Sequence, residues 1–532
     1  MRQGFRRVAV PAPARQNMQT KTFPAPTRGW VVNENLMMTA PGSAVMMENW
    51  FPTQRGIRLR GGSTRRATIG TGPVVSLFSY QAGTIKKLFA TSSTALYDVT
   101  TVANPTVPPA PAFSGLTSGY FSTTHMTNAN GAVFLYAVNG TDDPRTFNGT
   151  TWQAMNASST PTLTGATGLN AVWKHRNRLF FTQTGTMDAW YLAINSIGGA
   201  LTKLPLAGVF QRGGSLLFGA TWSTDAGDGM DDKCVFVTTE GEVAIYQGAD
   251  PGTIADWALV GRYDISKPIG KNGFCSVGGD LLIITEEGIV PLSAATTKDP
   301  AALSLSAVTR AIEPEWRKEV LARRALPWEM EKWPSKGMMI VTLPANDLQE
   351  PYCFVANLQT GAWAKYTGWD TRCLSVFDDW AHFGTSDGRI MQCELGGTDD
   401  GETYVNTVVL SFDPLGALGY QKQVHMGRSI FLASQTFTAA LSVSTDYQID
   451  LPTPPNTGAS TTVPGLWDVG LWDISVWDDA LGIKSVKSKW ESIGMSGFAI
   501  APQIQVTCDG PNLPDAELVG IDITFEQGAL VI

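Results

Sequence analysis

Histidine is scarce in this chain, and none of its four copies, His125, His175, His382 and His425, stands at metal-ligand spacing from another. The six cysteines form no Cys-x-x-Cys pair, and most lie inside apolar, strand-like runs. They read as small buried thiols rather than as zinc ligands or disulfide partners. Charged residues make up only 16% of the 532, too few for long solvent-exposed helices. No apolar run approaches the ~18 residues that a membrane-spanning helix needs. The arginines of the first fifteen residues are not followed by the apolar core of ~7 residues that a secretory signal carries, so synthesis in a cytoplasm is expected. Gly270-Lys271-Asn272 lacks the upstream glycine and the Ser or Thr of a phosphate loop.

Glycine (54), proline (31) and tryptophan (17) are plentiful. Between Trp173 and Leu292, apolar runs such as Leu216 to Trp222, Cys234 to Thr238, Val243 to Tyr246 and Leu281 to Thr285 alternate with Gly-Gly, Asp-Gly and Glu-Gly turns. Runs of four to seven residues bounded in this way are hairpin strands, and the class is all-β. The length calls for more than one core. Residues 1–30, with Pro11, Pro13, Pro24 and Pro26, read as an extended arm, and residues 31–70 as a segment joining it to the body. A divergent β-propeller is expected over residues 71–395, interrupted by one amphipathic helix near 310–325 that places Ile312, Trp316 and Val320 on one face. Of six strand-like runs between Met338 and Glu394, four, with the Thr360-Gly361 and Asp387-Gly388 turns between neighbours, suggest one four-stranded blade. Past a Gly- and Asp-rich boundary at Gly396 to Glu402, residues 402–532 read as a C-terminal β-sandwich.

Charge is distributed unevenly. Residues 1–66 hold eleven Lys and Arg against Glu34 and Glu48, a net +9, which leaves 28 basic and 45 acidic residues, a net −17, on the rest. A basic arm on an acidic body is the layout of a protein that docks through Arg2, Arg6, Arg7, Arg15, Lys21 and Arg28 while its body repels polyanions, although terminal arginines can equally just solvate a loose tail. The acidic run Asp225, Asp228, Asp231 and Asp232 departs from calcium-loop spacing and reads as a solvated or channel-facing loop. Trp467, Trp472 and Trp477, each followed by aspartate, recur every five residues. That step is odd for a strand and about 140° off for a helix, so the cluster reads as a ridged loop on a neighbouring subunit or as indoles folded back on their own sandwich.

Catalytic chemistry finds little support. Gly384-Thr385-Ser386-Asp387-Gly388 matches Gly-x-Ser-x-Gly, but Arg389 to Cys393 reads as a strand where a nucleophile elbow needs a helix. No catalytic residue, metal or cofactor is assigned.

Several ordered stretches resemble one family, the nozzle or tail-hub proteins of short-tailed bacteriophages, also described as tail tubular or packaged-DNA-stabilising proteins. They are Asn33, Ala40 to Ala44, Asn49-Trp50-Phe51-Pro52, Gly56 to Gly61, Asn139 to Arg145, Phe147 to Trp152, Lys174 to Phe181, Trp190 to Leu192, Ala226 to Gly229 and Glu242 to Gly248. The resemblance covers most of residues 31–395 and, more weakly, Glu517 to Leu530. It implies a virion protein made in the host cytoplasm, a homohexameric ring at the distal end of the tail and a propeller-based subunit. It also implies contacts with an adaptor ring and with fibres or spikes, passage of double-stranded DNA along an axial channel, and no small-molecule substrate. An acidic conduit suits that role, because cationic walls bind phosphates and stall passage. A propeller hydrolase or lyase acting on cell-surface polysaccharide and a glycan-binding module are the alternatives.

Overall fold

A computed structural model describes residues 18–223, 232–345, 349–416, 418–434, 437–455 and 484–530. The expected strands form: Leu216–Trp222, Lys233–Thr238, Glu242–Gln247 and Ala258–Asp264 pair as one antiparallel meander. Six further sheets of this kind follow the same plan: residues 76–114, 122–154, 169–205, 274–291, 330–367 and 373–393, the last with an added outer strand. In chain order these are blades 1 to 7, the meander at 216–264 being blade 4. Blade 5 (274–291) has three strands, and the outer strand of blade 7 is Ser63–Thr68, which pairs with Arg389–Cys393.

Side-chain packing closes the blades into a ring. Phe89 meets Phe147 at 4.9 Å between blades 1 and 2, and Tyr136 meets Phe181 at 5.4 Å between blades 2 and 3. Trp173 and Phe236 join blades 3 and 4 at 5.5 Å, and Phe218 stacks on Phe274 at 4.5 Å between blades 4 and 5. Cys275 and Ile284 of blade 5 share a core with Met330 of blade 6, and Trp333 meets Trp380 across the seam to blade 7. Leu77 and Leu88 of blade 1 pack on Cys373 and Ile390 of blade 7, which completes the circle. The body is a seven-bladed β-propeller. Offset and edge-on aromatic pairs add ~0.5–1.5 kcal/mol each beyond their burial, so they stabilise the ring beside the few hydrogen bonds that cross its seams, such as Tyr80 Oη to Val133 O at 3.0 Å and Thr221 Oγ1 to Lys174 O at 2.8 Å.

The helix forms at Glu313–Arg323, with Ile312, Trp316 and Val320 buried as its spacing predicts. Pro314 occupies its first turn, where a missing N–H costs nothing, and Arg323 at its other end donates to Glu319 at 2.6 Å. Of the six strand runs between Met338 and Glu394, four of which are expected to form one blade, the first three belong to blade 6 and the last three to blade 7. The cause is the remote origin of blade 7's fourth strand, which removes the local repeat.

The C-terminal sandwich packs two sheets. One contains Tyr420–Ala433, Ser485–Gly497 and Ala516–Leu530. The other contains Ala44–Glu48, Tyr404–Leu410, Ile500–Cys508 and Ala440–Thr445. Val424, Phe431, Ile521 and Phe525 of the first face Val408, Leu410, Ile504 and Val506 of the second in one apolar cluster. The second sheet is continuous with blade 6: Ala44–Glu48 pairs with Tyr404–Leu410 on one side and, at Glu48 and Lys365, with Trp363–Thr367 on the other. The sandwich is thus welded to the propeller through the signature segment.

Residues 1–30 do not all form an arm outside the core. Gln19–Pro24 is a strand pairing antiparallel with Ala516–Leu530, and Phe23 is buried. No helix among the described residues is long and apolar enough to cross a membrane.

Candidate functional site

The innermost strands of the blades surround an axial cavity of ≈ 290 Å³. A sphere of that volume is about 8 Å across, less than the ~12 Å width of a duplex's major groove. Its wall is polar. Ser76 and Ser79 come from blade 1, Ser122, Thr123 and His125 from blade 2, Glu331 from blade 6 and Ser375 from blade 7, while Asn272 and Glu329 come from the residues leading into blades 5 and 6.

Glu329 and Glu331 stand two residues apart, and the period of two of an extended chain turns both towards the axis. The Glu329 carboxylate accepts from Asn272 Nδ2 at 3.0 Å and from the Leu374 N–H at 3.1 Å. Burial nonetheless pushes both Glu329 and Glu331 up to about 7. Behind this wall, buried Lys271 donates to Asn170 O at 2.8 Å, Tyr120 O at 3.0 Å and Asn170 Oδ1 at 3.1 Å, and lies over the Tyr120 ring. Burial pushes Lys271 down to about 7 against the pull of Glu329. Three acceptors for the ammonium and two N–H donors for the carboxylate favour the ionised forms of both. His125 lies below its ordinary value, first through burial and then through nearby Lys174. Its Nε2 accepts from the Gln81 N–H at 3.3 Å.

A second concentration of charge lies where the propeller meets the sandwich. Arg60 is fully buried, donating to Asn49 Oδ1, Gly61 O, Thr367 O and both oxygens of Asp399, with Tyr404 stacked 3.8 Å from its guanidinium carbon. Asn49, at φ 62°, also donates through Nδ2 to Thr367 Oγ1 and Val405 O. The run Asn49 to Gly61 that carries the family resemblance is therefore the joint itself. Gly396 to Glu402, read as a boundary, supplies its carboxylates: Asp399 holds Arg60, and Asp400 holds Arg65 and Arg389.

The sites expected from sequence fare unevenly. Arg2, Arg6, Arg7 and Arg15, Asp225, Asp228 and Asp231, and Trp467, Trp472 and Trp477 lie outside the described residues. Asp232 is 4% exposed within the chain. It is buried beside Lys233–Thr238, where its backbone carbonyl accepts from Arg176 Nη2 of blade 3 at 3.4 Å. Lys21 is held to the chain's own sandwich by Asp413 at 2.6 Å, because Gln19–Pro24 is a strand there; Arg28 is exposed in the following turn. All six cysteines are buried and free. Ser386 sits in a hairpin turn and donates to Asp370. His175 contacts Thr221 Oγ1 and Gly248 O, and His382 contacts Trp380 O, both inside the ring.

The axial group escaped sequence reasoning, which weighed Lys271 and Asn272 only as a failed phosphate loop. A usable signal was present in Trp328-Glu329-Met330-Glu331, where acids alternate with large apolar residues at the start of a strand.

No family model matches the chain, and no curated protein matches it. Among solved structures it is similar to the β-propeller domain of Cps50 (Swd1) from Myceliophteria thermophila, at 13% identity and a TM-score of 0.40, covering 63% of this chain and 99% of that one. It is also similar to YCF48 bound to D1 peptide (11%, TM-score 0.36, 63% and 94% covered) and to Sqt1 of Saccharomyces cerevisiae (10%, TM-score 0.34, 66% and 96% covered). These likenesses bear on the fold alone.

Proposed function

We propose that the chain is a non-enzymatic structural subunit of the tail nozzle of a short-tailed phage, six copies forming the distal ring. The reading rests on the ordered sequence resemblance, and one structural observation carries it further. Among the described residues Ser485–Gly497, thirteen residues long, lies at the edge of its sheet and is exposed on both faces, presenting Val486, Trp490 and Met495 to solvent. Among the described residues Ala440–Thr445 is likewise the edge of the facing sheet. Long unpaired edges bearing large apolar side chains are aggregation hazards in a monomer and are covered in assemblies. A head-to-tail contact through this edge closes into a ring when its rotation allows.

In this reading the DNA path runs between subunits, along the ring axis. The acidic body suits such a path. The adaptor ring and the fibres or spikes are the partners, and the virion tail is the location. The enzyme alternative would use Glu329 and Glu331, but both stand side by side on one wall, whereas glycosidases place two carboxyl groups on either side of the scissile bond.

Electron microscopy and sedimentation of the purified chain test the reading. Closed rings are expected, together with a Val486→Lys/Trp490→Glu variant that stays folded and sediments as a monomer. A wild-type chain that remains monomeric at high concentration, or that cleaves polysaccharide, overturns it.

A further inference from the structure

We propose that the axial cavity of the propeller is a binding site for a small organic ammonium ion. The inference is independent of the assembly reading, since every residue it uses lies within one subunit.

Three observations lead to it. The cavity wall is rich in acceptors: the Glu331 carboxylate has one neighbouring donor, the Lys332 N–H, and Glu329 keeps lone pairs beyond those used by Asn272 and Leu374. The ammonium protons nearest the wall are bonded to backbone and amide oxygens, while the charge of Lys332 still acts on Glu331. Lys271 spends its three protons on Tyr120 and Asn170, and Lys332 donates to Ser276 O at 2.7 Å. His125, held below its ordinary value, is neutral near pH 7 and does not repel a cation. Finally, the Ser375 hydroxyl lines the cavity with no hydrogen bond among the described residues, although Ser375 is only 7% exposed. Its oxygen faces the open space of the cavity, where a ligand with N–H donors would supply the missing partner.

The wall also discriminates between cations. Calcium takes six to eight oxygen ligands within ~2.6 Å, and no group of three or more His, Cys, Asp or Glu suited to a metal ion occurs among the described residues. The carboxylates of Glu329 and Glu331 leave an extended chain at positions ~6.6 Å apart, and Glu329 is pinned by its two donors. That spacing suits an ammonium at Glu331 and a second polar end near Glu329 and Asn272. The volume, just under the ~300 Å³ where drug-sized sites begin, suits a small ligand. Glu331 is half-buried and His125 is exposed, so the cavity opens to solvent on that side.

Calorimetric titration of the full chain with 1,4-diaminobutane tests the proposal, with 1,4-butanediol and magnesium chloride as comparisons. Saturable binding of one diamine per chain is expected, weakened about tenfold or more in Glu331→Gln, as befits a lost charge-assisted hydrogen bond. Ser375→Val, which removes the hydroxyl and adds an apolar methyl to the wall while leaving both glutamates in place, should also weaken binding, and undiminished binding by it counts against the proposal; near-ultraviolet circular dichroism verifies that each variant keeps its packing. Absence of binding, equal binding of the diol, preferential binding of magnesium, or undiminished binding by folded Glu331→Gln each overturns the proposal.

Discussion

Arg60 and Asp399, 339 residues apart in the chain, share two hydrogen bonds of 3.0 and 2.6 Å at the point where propeller and sandwich meet. Arg60 is fully buried, so its charge depends on that carboxylate and on the rings of Tyr404, Trp369 and Tyr366 around it. Desolvation alone would lower its pKa, but Asp399 more than offsets this and holds it above the ordinary value. Removing one partner of a buried pair leaves an uncompensated charge, at a cost of ~3–5 kcal/mol. Asp399→Ala should lose about that much in urea unfolding. An Arg60→Met/Asp399→Leu double variant should lose less, because no charge is then stranded.

Burial sets the acid limit of the fold through its histidines. His382 is 1% exposed and is pushed down to about 3, first by burial and then by Arg66, whereas the unfolded side chain titrates near 6.5. The unfolded state therefore binds the extra proton, and the stability gained from a neutral His382 is full above ~6.5 and lost as the pH falls towards 3. At about pH 5 this amounts to ~2 kcal/mol. His382→Leu should flatten the difference between urea midpoints at about pH 7.5 and about pH 5, while His175, pushed down to about 4, keeps part of the slope.

The N-terminal strand divides truncation into two outcomes. Cutting before Met18 keeps Gln19–Pro24, the Lys21–Asp413 ion pair and the Thr22 bond to Asp522, and should leave Tm unchanged. Cutting after Pro24 exposes the sheet and removes buried Phe23, a loss of ~1.5–3 kcal/mol from that side chain alone. If residues before Met18 dock on a neighbouring ring, the first truncation folds yet fails to assemble.

At the seam between blades 3 and 4, Gly219 leaves room for an indole. A Cβ at that position would stand 2.2 Å from Cζ2 of Trp173. Gly219→Ala should cost ~1–3 kcal/mol or more by overpacking and should alter the near-ultraviolet signal of Trp173, whereas Gly208→Ala, with no atom in reach, should alter neither.

The fold was legible where its cause is local. Val133–Val138 precedes Asn139-Gly140 with Gly140 at φ 89°, so an apolar run and its turn announce a hairpin without further context. The helix at Glu313–Arg323 declared itself through Ile312, Trp316 and Val320 in the same way. The division between blades 6 and 7 was hidden, because the strand that completes blade 7 lies before blade 1. The axial group was hidden for a related reason: Lys271, Glu329 and Ser375 meet only once the ring closes. Lys21 and Asp232 show the converse limit, since composition reports charge but not whether the chain's own sheets cover it.

The strand Ser63–Thr68 imposes an order of events on biosynthesis. Arg65 leaves the ribosome early but pairs with Met391, and Thr68 with Arg389. At roughly 5–20 residues per second the wait is on the order of tens of seconds, during which blade 1 has no neighbour on one side and Ser63–Thr68 has no partner. The ring can shut only after blade 7 emerges, and the pairing that shuts it spans nearly the whole propeller, which makes its closure a late and slow step. A nascent chain paused before residue 373 should remain susceptible to protease and to chaperone capture at blade 1, and release of the next two dozen residues should end both together.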